Sequence, residues 1–351
     1  MVKKLLKILL CLVLVIVLAL AGLVGWLSVT EFKPAPVEEL PISGSSGSPS
    51  LQAGQELEVL SWNIGYAGLG EGSDFFMDGG TEVQAADEET VEKYLAGIEA
   101  YINSDRPDLI MLQEVDIDSS RTYRINQAER LGSGNYVHAL NYACNFVPIP
   151  IPPMGRIYSG LLTMTDYQID QAERISLPCP FSWPVSTANI KRCLLVSYLP
   201  IEGSDSQLVL VNLHLEAYDD GEGKIAQTKQ LKEFIQSEYE KGNYVIAGGD
   251  FNQSFPGSLE IYPNTHPELW TPGLLDDSLL PEGWSYTYDS SVPTCRLLNQ
   301  PYDPSDTENT QYYVIDGFIL SPNVELTGVE SVDLGFENSD HNPVRISVKL
   351  G

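Results

Sequence analysis

The first feature of the chain is an uninterrupted apolar run. After "MVKKLLK", the 20 residues Ile8–Leu27 carry no charge. At 1.5 Å per residue this is long enough to cross a bilayer core as one helix. The lysines before it and Glu31 beyond it predict a cytoplasmic tail (1–7), a transmembrane anchor (8–27) and an extracytoplasmic remainder. Ala19-Leu20-Ala21 resembles a small-residue cleavage site, so the alternative is a signal peptide and a secreted product. Residues 28–56 contain "EFKPAPVEELPISGSSGSPSLQAGQE", rich in Pro, Ser and Gly and without hydrophobic period. They read as a flexible linker with a reach on the order of 30 Å. Patterning resumes at 57 and continues to 351.

Within 57–351 one pattern occurs twice. "EETVEKYLAGIEAYINS" places Val91, Leu95, Ile98 and Ile102 at helical spacings. "RPD" breaks that helix, and "LIMLQEVD" reads as a buried strand reaching Glu114. Further on, "KIAQTKQLKEFIQSEYEKG" aligns Leu231, Phe234, Ile235 and Tyr239 and stops at Gly242. "NYVIAGGDFN" then reads as a buried strand reaching Asp250 and Asn252. Helix, turn, strand and acid therefore recur 136 residues apart, from Glu114 to Asp250. A duplicated sheet unit explains this, with both acids at carboxyl ends of strands, where α/β folds commonly bind ligands. "ELEVLSWNIGY" alternates into Asn63, "SQLVLVNLHLEAY" carries His214, and "YYVIDGFILS" carries Asp316. "SDHNPVRISVKL" places Asp340 and His341 side by side before a last alternating strand. One polar residue in an apolar strand is ordinary when a backbone group satisfies it. Six such positions able to bind a cation or orient a phosphate suggest a shared site.

Charge narrows the ligand class. Lys and Arg number 20 against 48 Asp and Glu; without the three N-terminal lysines, 17 face 48, a formal −31 beyond the anchor. Such a domain repels polyanions at long range, which lowers the expectation of nucleic-acid binding. Cys144, Cys179, Cys193 and Cys295 allow up to two disulfides in an oxidising compartment, with three complete pairings. No Cys/His spacing suggests structural zinc.

The ordered motifs "SWNIGY", "LQEVD", "NLHLEA", "GGDFN", "VIDGF" and "SDHNPV" resemble the endonuclease/exonuclease/phosphatase (DNase I-like) superfamily over about residues 57–350. The resemblance implies a four-layer α/β sandwich, two mixed sheets face to face with helices outside. It implies a hydrolase of phosphoric esters using Mg²⁺, with Mn²⁺ as a substitute. Glu114 would be the principal metal ligand, with Asn63 beside it and Asp340 closing the metal or water site. Asp250 would orient or deprotonate water, Asn252 would hold a phosphoryl oxygen, and His214 would donate to the phosphate or leaving group. His341 would pair with Asp316; the division of base duty between His341 and Asp250 stays open. In pancreatic-type deoxyribonucleases a basic residue two positions after the metal glutamate helps grip DNA; here that position is Asp116.

Arg121 and Arg124 are candidates for a second phosphate or headgroup, with pairing to nearby acids as the alternative; Arg156 and Arg296 are weaker candidates. The aromatic-rich stretch from Trp284 to Tyr313 is a candidate lip over the cleft. The expected enzyme is a monomeric, membrane-tethered phosphoesterase acting on a small or lipid-linked phosphoester. An extracellular nuclease and a catalytically silent binding domain are the alternatives.

Overall fold

The computed structural model describes residues 2–44, 47–219, 221–276 and 280–351. The apolar N-terminus is one continuous helix, α1 (Val2–Thr30), long and apolar enough to cross a membrane. The domain after it is built from two sheets. Strands β1 (Val37–Glu39), β6 (Gln171–Ser176), β7 (Cys193–Pro200), β8 (Gln207–His214), β9 (Tyr244–Asp250), β10 (Ser285–Thr287) and β11 (Asp316–Leu320) form the first, in the order β1-β6-β7-β8-β9-β11-β10. Strands β2 (Glu56–Asn63), β3 (Leu109–Asp116), β4 (Asn135–Val147), β5 (Gly155–Thr165), β12 (Val324–Ser331) and β13 (Val344–Leu350) form the second, in the order β12-β13-β2-β3-β5-β4.

The repeated sequence unit is the repeated structural unit. Helix α2 (Glu88–Ser104) carries β2 over to parallel β3, and α3 (Glu222–Glu240) carries β8 over to parallel β9. Asp87 caps α2, its carboxylate accepting from the Thr90 amide at 2.7 Å. Past the end of α3, Gly242 takes a left-handed φ of 91° that ordinary side chains disfavour. The apolar faces of the sheets meet at Val59, Leu109 and Met111 against Leu195, Leu210 and Phe318. Leu95 and Ile98 of α2 cover one outer face, and Leu231 and Ile235 of α3 the other. Helix, sheet, sheet, helix is the four-layer sandwich expected.

Between the sheets lies a buried amide pair. Gln113 donates to Asn212 (2.8 Å), and Asn212 donates to the Leu112 and Leu162 carbonyls (both 3.1 Å). Directional bonds in a dry layer fix the alignment of β3 with β8 where apolar packing alone would allow sliding.

The segment expected to be a free linker is structured instead. Val37–Glu39 pairs with β6, Ser43 exchanges backbone hydrogen bonds with Tyr136 on β4, and Leu51 bridges to Ile201 and is fully buried between the sheets. Ser45 and Ser46 of this segment, and Met1 of the tail, lie outside the described residues. The strap thus covers the β6 edge of one sheet and the β4 edge of the other. Open edges invite aberrant pairing, and a lack of helical or strand period hid this role. The cysteines are all unpaired; Cys144, Cys193 and Cys295 are buried, while Cys11 and Cys179 are exposed.

Two outcomes follow. Leu51→Ala should cost about 2–5 kcal/mol in chemical denaturation, as expected for a buried leucine; a cost near zero would mean that the strap is dispensable. Separately, His138 on β4 donates to the Val115 carbonyl (3.2 Å), and burial pulls its pKa down from 6.5 to about 4. Between those values the unfolded chain binds the proton and the fold does not, so this residue removes stability as pH falls from about 6.5 towards 4. His138→Gln should therefore gain about 1–2 kcal/mol relative to the parent between pH 7 and pH 5. An unchanged difference at the two pH values would refute it.

Candidate active site

The carboxyl ends of the central strands of both sheets open at the same edge of the sandwich. There β8, β9 and β11 place His214 opposite Asp250 and Asp250 opposite Asp316 in register. The register requires a glycine next to Asp250. Gly249 has φ 148°, and a Cβ there would lie 1.9 Å from the Leu213 carbonyl oxygen. On the other sheet, β3 carries a bulge between Leu112 and Val115, and Glu114 within it adopts φ 56°. A bulge re-aims a side chain, and a left-handed non-glycine residue is backbone strain of the kind found at functional sites. Asn252 (φ 50°) and Tyr66 (φ 43°) carry the same strain. Gly65 lets the chain pass Asp340, whose Oδ1 would be 2.7 Å from an added Cβ.

All eight residues expected at the catalytic and metal positions meet in one cleft or directly beneath it. His341 Nδ1 donates to Asp316 Oδ2 at 2.8 Å, and its Nε2 faces Asp250 and Asp340, each at 3.8 Å. His214 Nε2 is 3.4 Å from Asp250 Oδ2. The Asn252 amide donates to Asp250 Oδ1 (2.8 Å), and its side chain donates to the Leu215 carbonyl (2.9 Å). Asn63 is the hub: its side-chain nitrogen lies 3.3 Å from Glu114 Oε1, 3.0 Å from Asp250 Oδ2 and 3.4 Å from His341 Nε2. Its oxygen accepts from the Gly65 amide (3.0 Å). In this arrangement Asn63 braces the carboxylates of Glu114 and Asp250 beside the position expected for a cation.

Burial sets the electrostatics. It raises the pKa of Glu114, against the pull of Arg121 and His341. Burial and then Asp316 push Asp250 up to about 6, and burial with repulsion from Glu114 pushes Asp340 up to about 7. Burial pulls His214 well below 6.5. The same effect on His341 is outweighed by its acidic neighbours, Asp316 foremost, and its pKa ends well above 6.5. Asp250, Asp316 and His341 bring one ligand atom each within 4.8 Å of one another, as do Cys295, Asp340 and His341. Cys295 is pushed up to about 12 by burial and stays a thiol. The remaining donor set is rich in carboxylate oxygen and short of positive charge, which suits a hard divalent cation.

The arginines divide differently from expectation. Arg121 reaches the cleft wall, gripped bidentately by Asp116 (both bonds 3.0 Å), with its guanidinium 3.5 Å over the Tyr66 ring. Asp116 is fully buried and paired, so it presents no free negative charge to a ligand. Arg124 points away, 60% exposed and bound to Asp118, and Arg156 shares that carboxylate. Arg296 is buried as a strut, donating to the Gly70 and Ser73 carbonyls, while its backbone amide holds the Asp340 carbonyl (3.0 Å). Arg192, which sequence reasoning missed, lines the cleft at 5% exposure. It stands 3.8 Å from Glu216, and its Nε and Nη1 have no hydrogen-bond partner. The only hint was a basic residue at the mouth of the apolar strand "CLLVSYL".

The stretch from Trp284 to Tyr313 is packing more than lip. Trp284 meets Tyr239 edge-on, Tyr313 meets Trp270, and only Cys295 and Leu298 of that stretch reach the cleft. The cleft holds about 260 Å³, with Tyr66, Leu69, Phe75, Met154 and Trp270 among its apolar walls.

Comparison with known proteins agrees with this architecture. An endonuclease/exonuclease/phosphatase protein from Beutenbergia cavernae superposes with a TM-score of 0.56 at 17% identity, covering 85% of this chain and 72% of that one. Proteins of the same description from Bacteroides vulgatus (0.53, 13% identity, 85% and 100% covered) and Bacteroides thetaiotaomicron (0.53, 14%, 85% and 99%) share the fold. Among curated proteins no relative matches the sequence. The sequence model of the endonuclease/exonuclease/phosphatase family matches residues 60–341, the span that contains every residue of the cleft's polar cluster. The chain belongs to that family and is a metal-dependent hydrolase of phosphoric esters.

Proposed function

We propose that this protein is a membrane-tethered, extracytoplasmic, Mg²⁺-dependent phosphoesterase acting on a small or lipid-linked phosphoester. The observation that carries the reading is the meeting of Glu114, Asp250, Asp340, His214 and His341 in one cleft of about 260 Å³ with largely apolar walls. That volume suits a headgroup-sized ligand, and the arginines on its walls, Arg121 and Arg192, suit its negative charge. The lysines before α1 support the tethered, outward-facing arrangement.

Glu114 and Asp340 are the residues that would hold the cation, with Asn63 bracing Glu114 against Asp250. When bound, the cation supplies Lewis-acid stabilisation of the negative charge growing on the phosphoryl oxygens. Asp250, between two histidines, accepts the proton of the attacking water. His341 has its Nδ1–H committed to Asp316 and is kept proton-rich, so its Nε2–H serves as a donor to a phosphoryl oxygen. This assigns the base role to Asp250. Neutral His214 and the second side-chain amide hydrogen of Asn252, whose first is held by the Leu215 carbonyl, complete the donors around the phosphate. Arg192, with two unpartnered nitrogens, is the group best placed to bind a non-reacting oxygen of the substrate.

Activity should disappear in excess EDTA, return with Mg²⁺ or Mn²⁺, and be almost lost in Glu114→Gln, which keeps shape and removes charge. His341→Ala should lose about 10²–10⁴-fold in turnover, and Asp316→Asn less. Full activity in EDTA, or a wild-type rate for Glu114→Gln, would reject the site. For the substrate, kcat/KM of the full chain should be far higher on phospholipid or soluble phosphoester panels than on plasmid DNA at matched salt. Efficient plasmid nicking without turnover of the panels would establish the nuclease reading instead.

A further inference from the structure

Helix α1 constrains the domain more tightly than a tether would. Residues Val2–Gly22 are exposed, whereas Leu23 and Val24 are partly buried and Leu27 is buried at 5% exposure. Leu23 and Leu27 pack into one apolar cluster with Val147 and Met154, at the two feet of the β4–β5 loop. Trp183 Nε1 donates to Ser28 Oγ (2.9 Å), and Lys191 pairs with Glu31 (3.2 Å). The last turns of the helix are thus part of the domain.

Length turns this docking into a depth. The 20 apolar residues Ile8–Leu27 rise about 30 Å, the thickness of a bilayer's hydrocarbon core. No spare helix separates the core from the face on which Leu23 and Leu27 are packed. The loops flanking that face expose large apolar side chains to solvent: Ile149 (70%), Ile151 (93%), Trp183 (65%) and Val185 (57%). Trp26, on the helix itself, is 44% exposed at the same level. Tryptophan favours the membrane–water boundary, and concentrated apolar exposure marks a contact surface. The acidic domain has no electrostatic attraction to an anionic surface, so the contact must be apolar.

We propose that this face, made by the β4–β5 loop and the loop carrying Trp183, seats on the phospholipid bilayer that holds α1. Ile149, Ile151, Trp183 and Val185 then lie at the boundary between headgroups and acyl chains. The inference rests on the tethered reading above, with α1 retained in the membrane. It also aims the cleft: Tyr66, Leu69, Phe75, Met154 and Leu298 line the cleft and belong to the cluster around Leu27. The mouth of the site opens beside the anchor, where a phosphoester carried on a lipid arrives by lateral diffusion.

The test uses the full chain in phosphatidylcholine nanodiscs, with Cys11→Ser and Cys179→Ser removing the exposed thiols. Single spin labels are placed at Ile151→Cys or Trp183→Cys. The control is Leu326→Cys, an exposed site on β12 at the far edge of the sheet from β4. Collision with oxygen, which partitions into lipid, is compared with collision with a water-soluble nickel chelate. At positions 151 and 183 the oxygen-to-nickel ratio should exceed that at 326 several-fold. Ratios equal to that at 326, in chain that resists alkaline carbonate extraction, overturn the docking and leave the tether standing. Chain that carbonate releases overturns both.

Discussion

The structure is organised around mutual repulsion among buried acids. Glu114, Asp250, Asp316 and Asp340 converge where little water reaches them, and burial makes the negative charges of Glu114, Asp250 and Asp340 costly. No strand pair could hold them together by packing alone. The scaffold answers with directional bonds: the Gln113–Asn212 pair aligning the sheets, Asn63 spanning Glu114 and Asp250, and Asp316 fixed to His341. Local strain completes the arrangement, since Glu114 and Asn252 reach the cleft only through left-handed backbone. A site assembled under this much electrostatic stress is poised for a divalent cation, which relieves it.

The fold and most of the polar cluster were legible in the sequence because both depend on period and punctuation. Helical spacing in Val91–Ile102 and Leu231–Tyr239 is a direct record of burial, and an acid ending an apolar strand stands out against it. Residues whose role depends on which partner the fold sets beside them left no such record. Arg121 and Arg124 look alike in "SRTYRI", yet one is turned inward by Asp116 and Tyr66 and the other outward by Asp118. Arg192 and the strap at 37–51 were illegible because what holds each of them is more than 20 residues away in sequence. Asp116, the acid at the position where some nucleases carry a DNA-gripping basic residue, is the clearest case. Its charge belongs to Arg121, so it is no argument against a polyanionic ligand; the overall charge of the domain is what remains of that argument.

Helix α1 and the cleft are continuous through one apolar cluster, from Leu23 and Leu27 to Tyr66 and Leu298. Apolar walls suit the carbon skeleton of a substrate, while Arg192, with two unpartnered nitrogens, supplies positive charge inside an otherwise negative domain.

In the proposed site, Glu114 and Asp340 share one divalent cation at the open edge of the sandwich. Anomalous diffraction from crystals grown with Mn²⁺ tests it directly. One strong peak is expected within coordination distance, about 2 Å, of carboxylate oxygens of both Glu114 and Asp340, and it should be lost in Glu114→Gln crystals. A peak held instead by Asp250, Asp316 and His341 alone, with Glu114 uninvolved, would contradict it.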